Sequence, residues 1–425
     1  MGGMRSRPAA TERRSRVLVI VQNLPVPLDR RVWLESLALT DAGYDVTVIC
    51  PKGRGDPQRE VLDGVTLLKY RPYAPGGHAI GFVLEYAYSF LATTALVLRA
   101  RRGGPFAVVQ ACNPPDIFWP IARCLRHLDS SRFVFDHHDL CPELYDSRFP
   151  GSSRWPHRGL LALERATFRT ADHVISTNTS YADVARLRGG KHPAEVTVVR
   201  SGPDPRILRR KAPVETLRRG RRHLVAYLGV MGPQDGVDRA IHAAAHVVHD
   251  LGRDDVSFTF MGTGDCYHDL VALRDELGLA EHVDLPGRVP DETVIDVLST
   301  ADVGLSPDPK NPLNDVSTMN KTLEYLAFGL PVLAFDLKET RVSAGEAGVY
   351  ITDGDLPAYA RALVDLLDDE ARRTTMGAAG RARIENGLGW PHQRGAYVEI
   401  YDRLVGREPK PHPAAREPVQ GSDGI

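Results

Sequence analysis

Ser306–Phe335 reads SPDPKNPLNDVSTMNKTLEYLAFGLPVLAF. Its order of elements decides the fold class. A β-branched run, Val303–Ser306, ends in a polar, proline-rich loop carrying Asn314, Asp315, Ser317 and Thr318. The spacing predicts a helix from about Met319 to Phe328, stopped at Gly329, with Pro331 leading into the next strand, Val332–Phe335. Strand, loop, helix and strand in that order build a parallel sheet. A loop that feeds a helix N-terminus at a strand's carboxyl end favours an anion, because unpaired backbone N–H groups and the helix dipole converge there. Lys321 and Glu324 stand three apart and share one helix face near that start. Lys321 would add positive charge, and Glu324 is placed to accept from two neighbouring hydroxyls of a ribose. The competing reading of the pair is a solvated i,i+3 ion pair.

The same alternation runs along most of the chain. Arg16–Val21, Asp45–Cys50, Val65–Tyr70, Ala107–Ala111, Phe133–Asp136, His173–Ser176 and Val196–Val199 read as strands. Between the first two, Val32, Leu34, Leu37 and Leu39 give Arg31–Ala42 a helical spacing. A second series has strands at His223–Leu228, Val256–Phe260, Val283–Leu285, Val303–Ser306 and Val332–Phe335. Its helices fall near 236–250, 265–277 and 292–299. Nearly continuous apolar strands separated by helices indicate parallel sheets covered on both faces. The expected fold is therefore α/β, with two doubly wound Rossmann-like domains facing a cleft, where ligands sit beyond the carboxyl ends of the strands. The expected organisation is a disordered basic tail at 1–15 and a first domain at 16–205, completed by a C-terminal helix at 391–405. A basic linker at 206–222, a second domain at 223–390 and a disordered tail at 408–425 complete it. The linker is dense in arginine: Arg206, Arg209, Arg210, Arg218, Arg219, Arg221 and Arg222, with Lys211.

Composition narrows the class. The chain has 425 residues, with 53 Lys and Arg against 54 Asp and Glu, for a net charge of −1. That balance gives no support for nucleic-acid binding. Hydrophobic residues at 43% and charged residues at 25% exclude a disordered or collagen-like chain. The five cysteines, Cys50, Cys112, Cys124, Cys141 and Cys266, are scattered and form no CxxC pair, so zinc-ribbon and thioredoxin-like readings fail. A reduced, cytoplasmic setting is expected. The Arg-rich first residues lack the apolar core of a secretory signal.

Glycines mark the ends of two strands in the second series. Val225–Leu228 runs into Gly229-Val230-Met231-Gly232, and Ser257–Phe260 leads to Gly262-Thr263-Gly264-Asp265. Such turns let backbone approach a ligand, or simply pack strand against helix. After the first strand, Gln22-Asn23-Leu24-Pro25 replaces any GxGxxG, which excludes a dinucleotide-binding oxidoreductase. Gly81–Leu98 (GFVLEYAYSFLATTALVL) has one charged residue, Glu85, and is followed by Arg99, Arg101 and Arg102. It reads either as a buried helix of the first domain or as a helix lying on a membrane surface, with its arginines on anionic headgroups. A membrane span would interrupt a sheet.

Three elements together resemble the GT-B glycosyltransferases, specifically the retaining family 4 type of bacterial polysaccharide biosynthesis. They are Asp29-Arg30-Arg31-Val32-Trp33, Phe135-Asp136-His137-His138-Asp139-Leu140-Cys141-Pro142-Glu143, and Asn311 through Glu324 with its STMNK-x-x-EY pattern. Gly287-Arg288-Val289 and Leu337-Lys338-Glu339-Thr340-Arg341 add to the likeness. The resemblance spans Arg16 to about Leu404. It implies transfer of a sugar from a nucleotide-diphosphate donor to an acceptor hydroxyl, lipid-linked or saccharide, with retention. It implies that Glu324 holds the ribose and that backbone around Ser317, Thr318, Met319 and Asn320 holds the donor's sugar and phosphates. Arg288 and Val289 would lie near the base, His138 would face the donor sugar, and Gly229, Gly232 and Gly262 would border the donor.

Two departures from the family pattern stand out. A first glutamate expected eight positions before Glu324 is Val316, leaving Asp315 or bare backbone in its place. The Arg and Lys common after the second domain's first strand are absent from Gly229–Gly236. Lys321, the helix dipole, and Arg288 or an arginine of Asp29–Arg31 then remain to stabilise the leaving group. No DxD run sits at a strand end suited to Mg²⁺, so no metal and no other cofactor is expected. Two alternatives stay open: a nucleotide-sugar epimerase of the same fold, and an inactive sugar-nucleotide binder acting as a partner protein. The expected location is cytoplasmic, with peripheral contact on the inner face of the plasma membrane left open.

Overall fold

The apolar runs become parallel strands in the computed structural model, which describes residues 14–73, 79–149, 151 and 154–408. Most of the tails expected at 1–15 and 408–425 lies outside the described residues. The first sheet contains β1 (Arg16–Ile20), β2 (Asp45–Pro51), β3 (Arg59–Leu62), β4 (Val65–Tyr70), β5 (Val108–Cys112), β6 (Arg132–His137), β7 (His173–Ser176) and β8 (Val196–Val198). Their order is β3-β4-β2-β1-β5-β6-β7-β8. In-register parallel pairing sets Val17 beside Val46 and Val108. β1 is buried over Val17–Ile20 and β5 throughout, as strands covered on both faces must be.

The second sheet holds β9 (His223–Leu228), β10 (Val256–Met261), β11 (Val283–Gly287), β12 (Val303–Ser306), β13 (Val332–Phe335) and β14 (Gly348–Ile351). Its order is β11-β10-β9-β12-β13-β14. One face packs Tyr227, Phe258, Phe260 and Phe335 against the helices Val237–Ala245 and Leu356–Asp368. The other packs Leu224, Ala226 and Val332 against the helices Asp291–Thr300 and Asn320–Ala327. Each fully buried Leu, Val or Phe among them contributes about 1.5–3 kcal/mol. The doubly wound α/β architecture expected for both series is present.

Two strands escape the apolar-run criterion. β3 pairs antiparallel with β4 and alternates exposed and half-buried residues, so it carries no continuous apolar run. Its link to β4 is Asp63-Gly64 with φ of 47° and 85°, the two positive values a tight hairpin turn needs. β14 is a half-buried strand at one edge of the second sheet.

By internal contacts the chain forms two compact units. One comprises the described residues up to Asp136, with Ala166–Val174 and the last helix from Tyr397; the other comprises His137–Arg165 and Ile175–Ala396. In the first unit, Asp29 caps the helix Arg30–Asp41 by accepting from the Val32 N–H at 3.1 Å. Arg31 is held in buried ion pairs, 2.9 Å from both Glu35 and Asp136. That guanidinium is committed to the core. Gln110 donates to Glu35 and Asp136 and accepts from Tyr397 at 2.7 Å, which ties the C-terminal helix Trp390–Val405 to β5.

The apolar segment forms the helix Ala79–Arg101. No helix among the described residues is long and apolar enough to cross a membrane. Its pattern is inverted for a core helix. Ser89, Thr93 and Val97 are buried, while Val83 and Leu91 are each 67% exposed and Leu84 and Leu98 about half. Gln22 donates to Glu85 at 2.9 Å, holding the polar face inward. The reading of a wholly buried helix therefore fails on its outer face.

Candidate functional site

The site is described entirely within the second unit. β12 ends at Ser306, and the loop after it folds back on itself. The Asn311 side chain accepts from the N–H groups of Leu313 and Asn314, and Asn314 donates to the carbonyls of Gln234 and Pro309. Ser317 donates to the Leu313 carbonyl at 2.7 Å. The chain then enters the helix Asn320–Ala327 through an extended Met319, with no side chain capping its N-terminus. Asn320 is exposed there, and Ser317, Thr318 and Met319 are half-buried. An uncapped helix start leaves backbone donors for an external anion.

Two side chains far away in sequence brace this loop. Asn178 donates to the Val316 carbonyl at 2.9 Å and to Thr318 Oγ1 at 3.0 Å. Tyr181 is hydrogen-bonded to Ser317 through its hydroxyl at 2.8 Å. Both lie at the start of the helix Thr179–Leu187, where Asn178 is also the N-cap. Leu140, Tyr181 and Leu313 form a small apolar cluster beneath, with Val316 against it. Sequence reasoning missed this brace; Asn178-Thr179-Ser180, an N-cap pattern ahead of a helix, is a local signal that could have found it.

Lys321 is held in a buried ion pair behind the glycine turns. It is buried, with Nζ 2.5 Å from Asp308 Oδ1 and 3.9 Å from Asp235, and it lies over the Tyr227 ring. Burial lowers its pKa, but Asp308 and Asp235 outweigh that and hold the ammonium above its ordinary value. Asp308 also accepts from Ser306 Oγ at 2.7 Å. Burial pushes Asp235 up to about 6, against the pull of Lys321. Sequence reasoning missed both aspartates. Asp235 lies in the stretch where the family pattern commonly carries cations.

The glycine turns have a steric cause. Gly262 has φ +143°, and a Cβ there would sit 1.8 Å from the Gly229 carbonyl oxygen. A Cβ on Gly229 would press on Lys321 and Tyr227. Gly232 donates its N–H to Asp235 at 2.9 Å. The turns after β9 and β10 therefore stack backbone on backbone around the buried lysine. Tyr325 fixes the helix from below by donating to the Leu305 carbonyl and accepting from the Leu228 N–H.

His138 follows β6 and is half-buried. Beside it, burial pushes Asp139 up to about 6, opposed by His138 and Arg148 and reinforced by Asp235. Arg148 reaches Asp265 at 2.9 Å. His138, Asp139 and Asp235 thus share one electrostatic neighbourhood. Asp315, the carboxylate next to the missing glutamate's position, accepts from the Lys338 N–H at 3.0 Å and lies 3.6 Å from Lys310. Glu324 is half-buried one turn into the helix. Arg288 is exposed just after β11, and Val289 packs on the core. Glu339, buried, accepts from Ser180 at 2.6 Å.

Comparison with known proteins identifies the family and the fold. A family model described as Glycosyltransferase Family 4 matches residues 29–206, and one described as Glycosyl transferases group 1 matches residues 222–369. A 2-deoxystreptamine glucosyltransferase from Streptomyces kanamyceticus is 25% identical over 265 residues, 60% of this chain and 66% of that protein. A GDP-mannose-dependent monoacylated alpha-(1-6)-phosphatidylinositol monomannoside mannosyltransferase from Corynebacterium glutamicum is 31% identical over 163 residues, 37% of this chain and 41% of that one. The chain thus spans about two thirds of the first relative's length and two fifths of the second's. Among solved structures, sucrose-phosphate synthase from Thermosynechococcus elongatus superposes with a TM-score of 0.72 at 17% identity, covering 92% of this chain and all of that one. With two doubly wound sheets, an uncapped helix start behind the second, and family matches across both halves, the chain belongs to the family 4 type of GT-B glycosyltransferases.

Proposed function

We propose that the protein moves a sugar from a nucleotide-diphosphate donor to a hydroxyl of a lipid-linked or polysaccharide intermediate, with retention and without a required metal. The observation that carries this reading is the uncapped start of the Asn320–Ala327 helix, with Glu324 one turn behind it. The donor's C1–O bond breaks toward an oxocarbenium-like state, and negative charge builds on the departing diphosphate. Backbone N–H groups fixed at the helix start meet that charge without reorganising, which is where electrostatic catalysis is strongest. The acceptor's proton passes to the leaving phosphate on the same face. His138 borders the donor sugar, and Glu324 holds the ribose. The Corynebacterium relative's lipid acceptor supports a lipid-linked acceptor here.

A second reading is an inactive sugar-nucleotide binder. It is favoured by Lys321, whose charge Asp308 and Asp235 already compensate. Incubation with labelled UDP- and GDP-sugars and a membrane lipid extract separates the readings. Label in the lipid phase supports transfer, binding without turnover supports the inactive partner, and an epimerised donor supports an epimerase.

The raised carboxyl of Asp235 gives this site a pH signature. Protonating Asp235 removes a negative charge beside Lys321, so donor binding is expected to tighten as pH falls from about 7.5 to about 5.5. An intact nucleotide sugar is the right probe, because its esterified phosphates do not titrate in that window. Asp235→Asn should bind more tightly at pH 7.5 and show a shallower dependence, with Asp139 supplying the remainder; an unchanged profile in calorimetry contradicts it. The folded protein also binds protons on Asp139 and Asp235 more tightly than the unfolded chain does. Their contribution to stability therefore grows as pH falls through about 6.

The exposed stripe of Val83, Leu84, Leu91 and Leu98, ending in exposed Arg99 and Arg102, suits an anionic membrane surface. The protein is expected to sediment with phosphatidylglycerol vesicles at low salt, and Leu91→Asp/Leu98→Asp to remain in solution. Wild-type protein left in the supernatant would remove the membrane from the account.

A further inference from the structure

The arginine-rich stretch before β9 lines a cavity of about 530 Å³ that the transfer reaction does not use. The cavity lies where Ala301 and Asp302 lead into β12 and where Leu330 and Pro331 lead into β13. It is therefore at the amino ends of these strands, whereas the glycine turns, Ser306 and Lys321 gather at the carboxyl ends. The helix Asn320–Ala327 runs between the two places, about 12 Å long at 1.5 Å per residue. Its last residue, Ala327, and the Gly329 turn form part of the cavity floor.

Four arginines line this space: Arg209, Arg210, Arg373 and Arg381. Carbonyl groups hold three of them in place. Arg210 donates to Ser299 and Ala301, Arg373 to Leu366 and Leu367, and Arg381 to Leu208, Ala327 and Pro205. Carbonyls orient a guanidinium but do not neutralise it. Arg381 also pairs with Glu385 at 2.6 Å. Of the two lining carboxylates, Asp302 is taken up by Arg218 at 2.7 Å and by the Leu224 N–H, which leaves Glu370. Among the described residues, Arg209 makes no ion pair or hydrogen bond and is exposed. Burial lowers the pKa of Arg210, with Asp302 opposing the shift and Arg218 adding to it.

We propose that this cavity is a binding site for a phosphorylated sugar or polyol. The phosphate sits at the rim between Arg209, Arg210 and Arg373, whose forks match its oxygens. The body enters over Phe328, Leu330 and Pro331, and its hydroxyls bond Thr374, Glu370 and the free lone pairs of the floor carbonyls. A free anion without hydroxyls meets those carbonyls unfavourably, so it binds more weakly. The volume suits a ligand of this size.

Calorimetry on the full chain tests it, with fructose 6-phosphate, fructose and inorganic phosphate as probes at constant ionic strength. Fructose 6-phosphate is expected to bind saturably, inorganic phosphate at least tenfold more weakly, and fructose not measurably. Arg209→Ala/Arg373→Ala should weaken fructose 6-phosphate at least tenfold. Arg209→Glu alone, at an exposed side chain without a partner, should weaken it without touching the fold. Binding is expected to persist when UDP or GDP is present in saturating amounts. Absence of saturable binding, equal affinity in both arginine variants, or displacement by either nucleotide would overturn the proposal. These outcomes do not depend on whether the protein transfers a sugar.

Discussion

Glu324→Ala is expected to weaken nucleotide-sugar binding, and to lower kcat/KM where transfer is measured, by roughly 10²–10³-fold. The reasoning starts from the helix. Asn320–Ala327 begins uncapped, and Glu324 lies one turn further on, half-buried. A diphosphate received at the helix start leaves the ribose one turn along, within reach of that carboxylate. Two charge-assisted hydrogen bonds to vicinal hydroxyls contribute together about 3–4 kcal/mol. Alanine is a good helix former, so the helix itself should persist. Titration calorimetry with the wild type and the variant reads the effect, and equal affinities would remove Glu324 from the site.

Lys321→Met is expected to lower folding stability by about 3–5 kcal/mol, the usual consequence of stripping one partner from a buried ion pair. It leaves Asp308, itself 1% exposed, without its ammonium, with Asp235 close by. Combining it with Asp308→Asn removes the orphaned charge and should recover most of that loss in urea unfolding. Donor binding should not recover in the double variant, because the positive charge behind the glycine turns is still gone. Full recovery of both would make Lys321 a structural residue alone. Failure of the second substitution to restore stability would contradict the pairing itself.

The fold was legible because its strands are buried on both faces. Such strands must be nearly continuous apolar runs, and β7, β9, β12 and β13 fall where those runs lie. β3 was not legible by that criterion, since Arg59-Glu60-Val61-Leu62 lies exposed at a sheet edge. The Asp63-Gly64 turn was its available signal. The candidate site was legible as a loop and a helix start, but not as an electrostatic unit. Asp235 stands 86 positions before Lys321, and Asn178 stands 140 before Thr318, so only the folded sheet brings them together. Likewise, composition marks Gly81–Leu98 as apolar, yet burial of its serine and threonine face puts leucine outward. Side-chain chemistry local in sequence could be read; chemistry assembled across strands could not.

A crystal structure with an intact nucleotide sugar tests the central claim most directly. The account places the diphosphate within hydrogen-bond distance of the backbone N–H groups at Thr318–Asn320, with the ribose hydroxyls on Glu324. A nucleotide bound elsewhere, with that helix start still facing water, would contradict it.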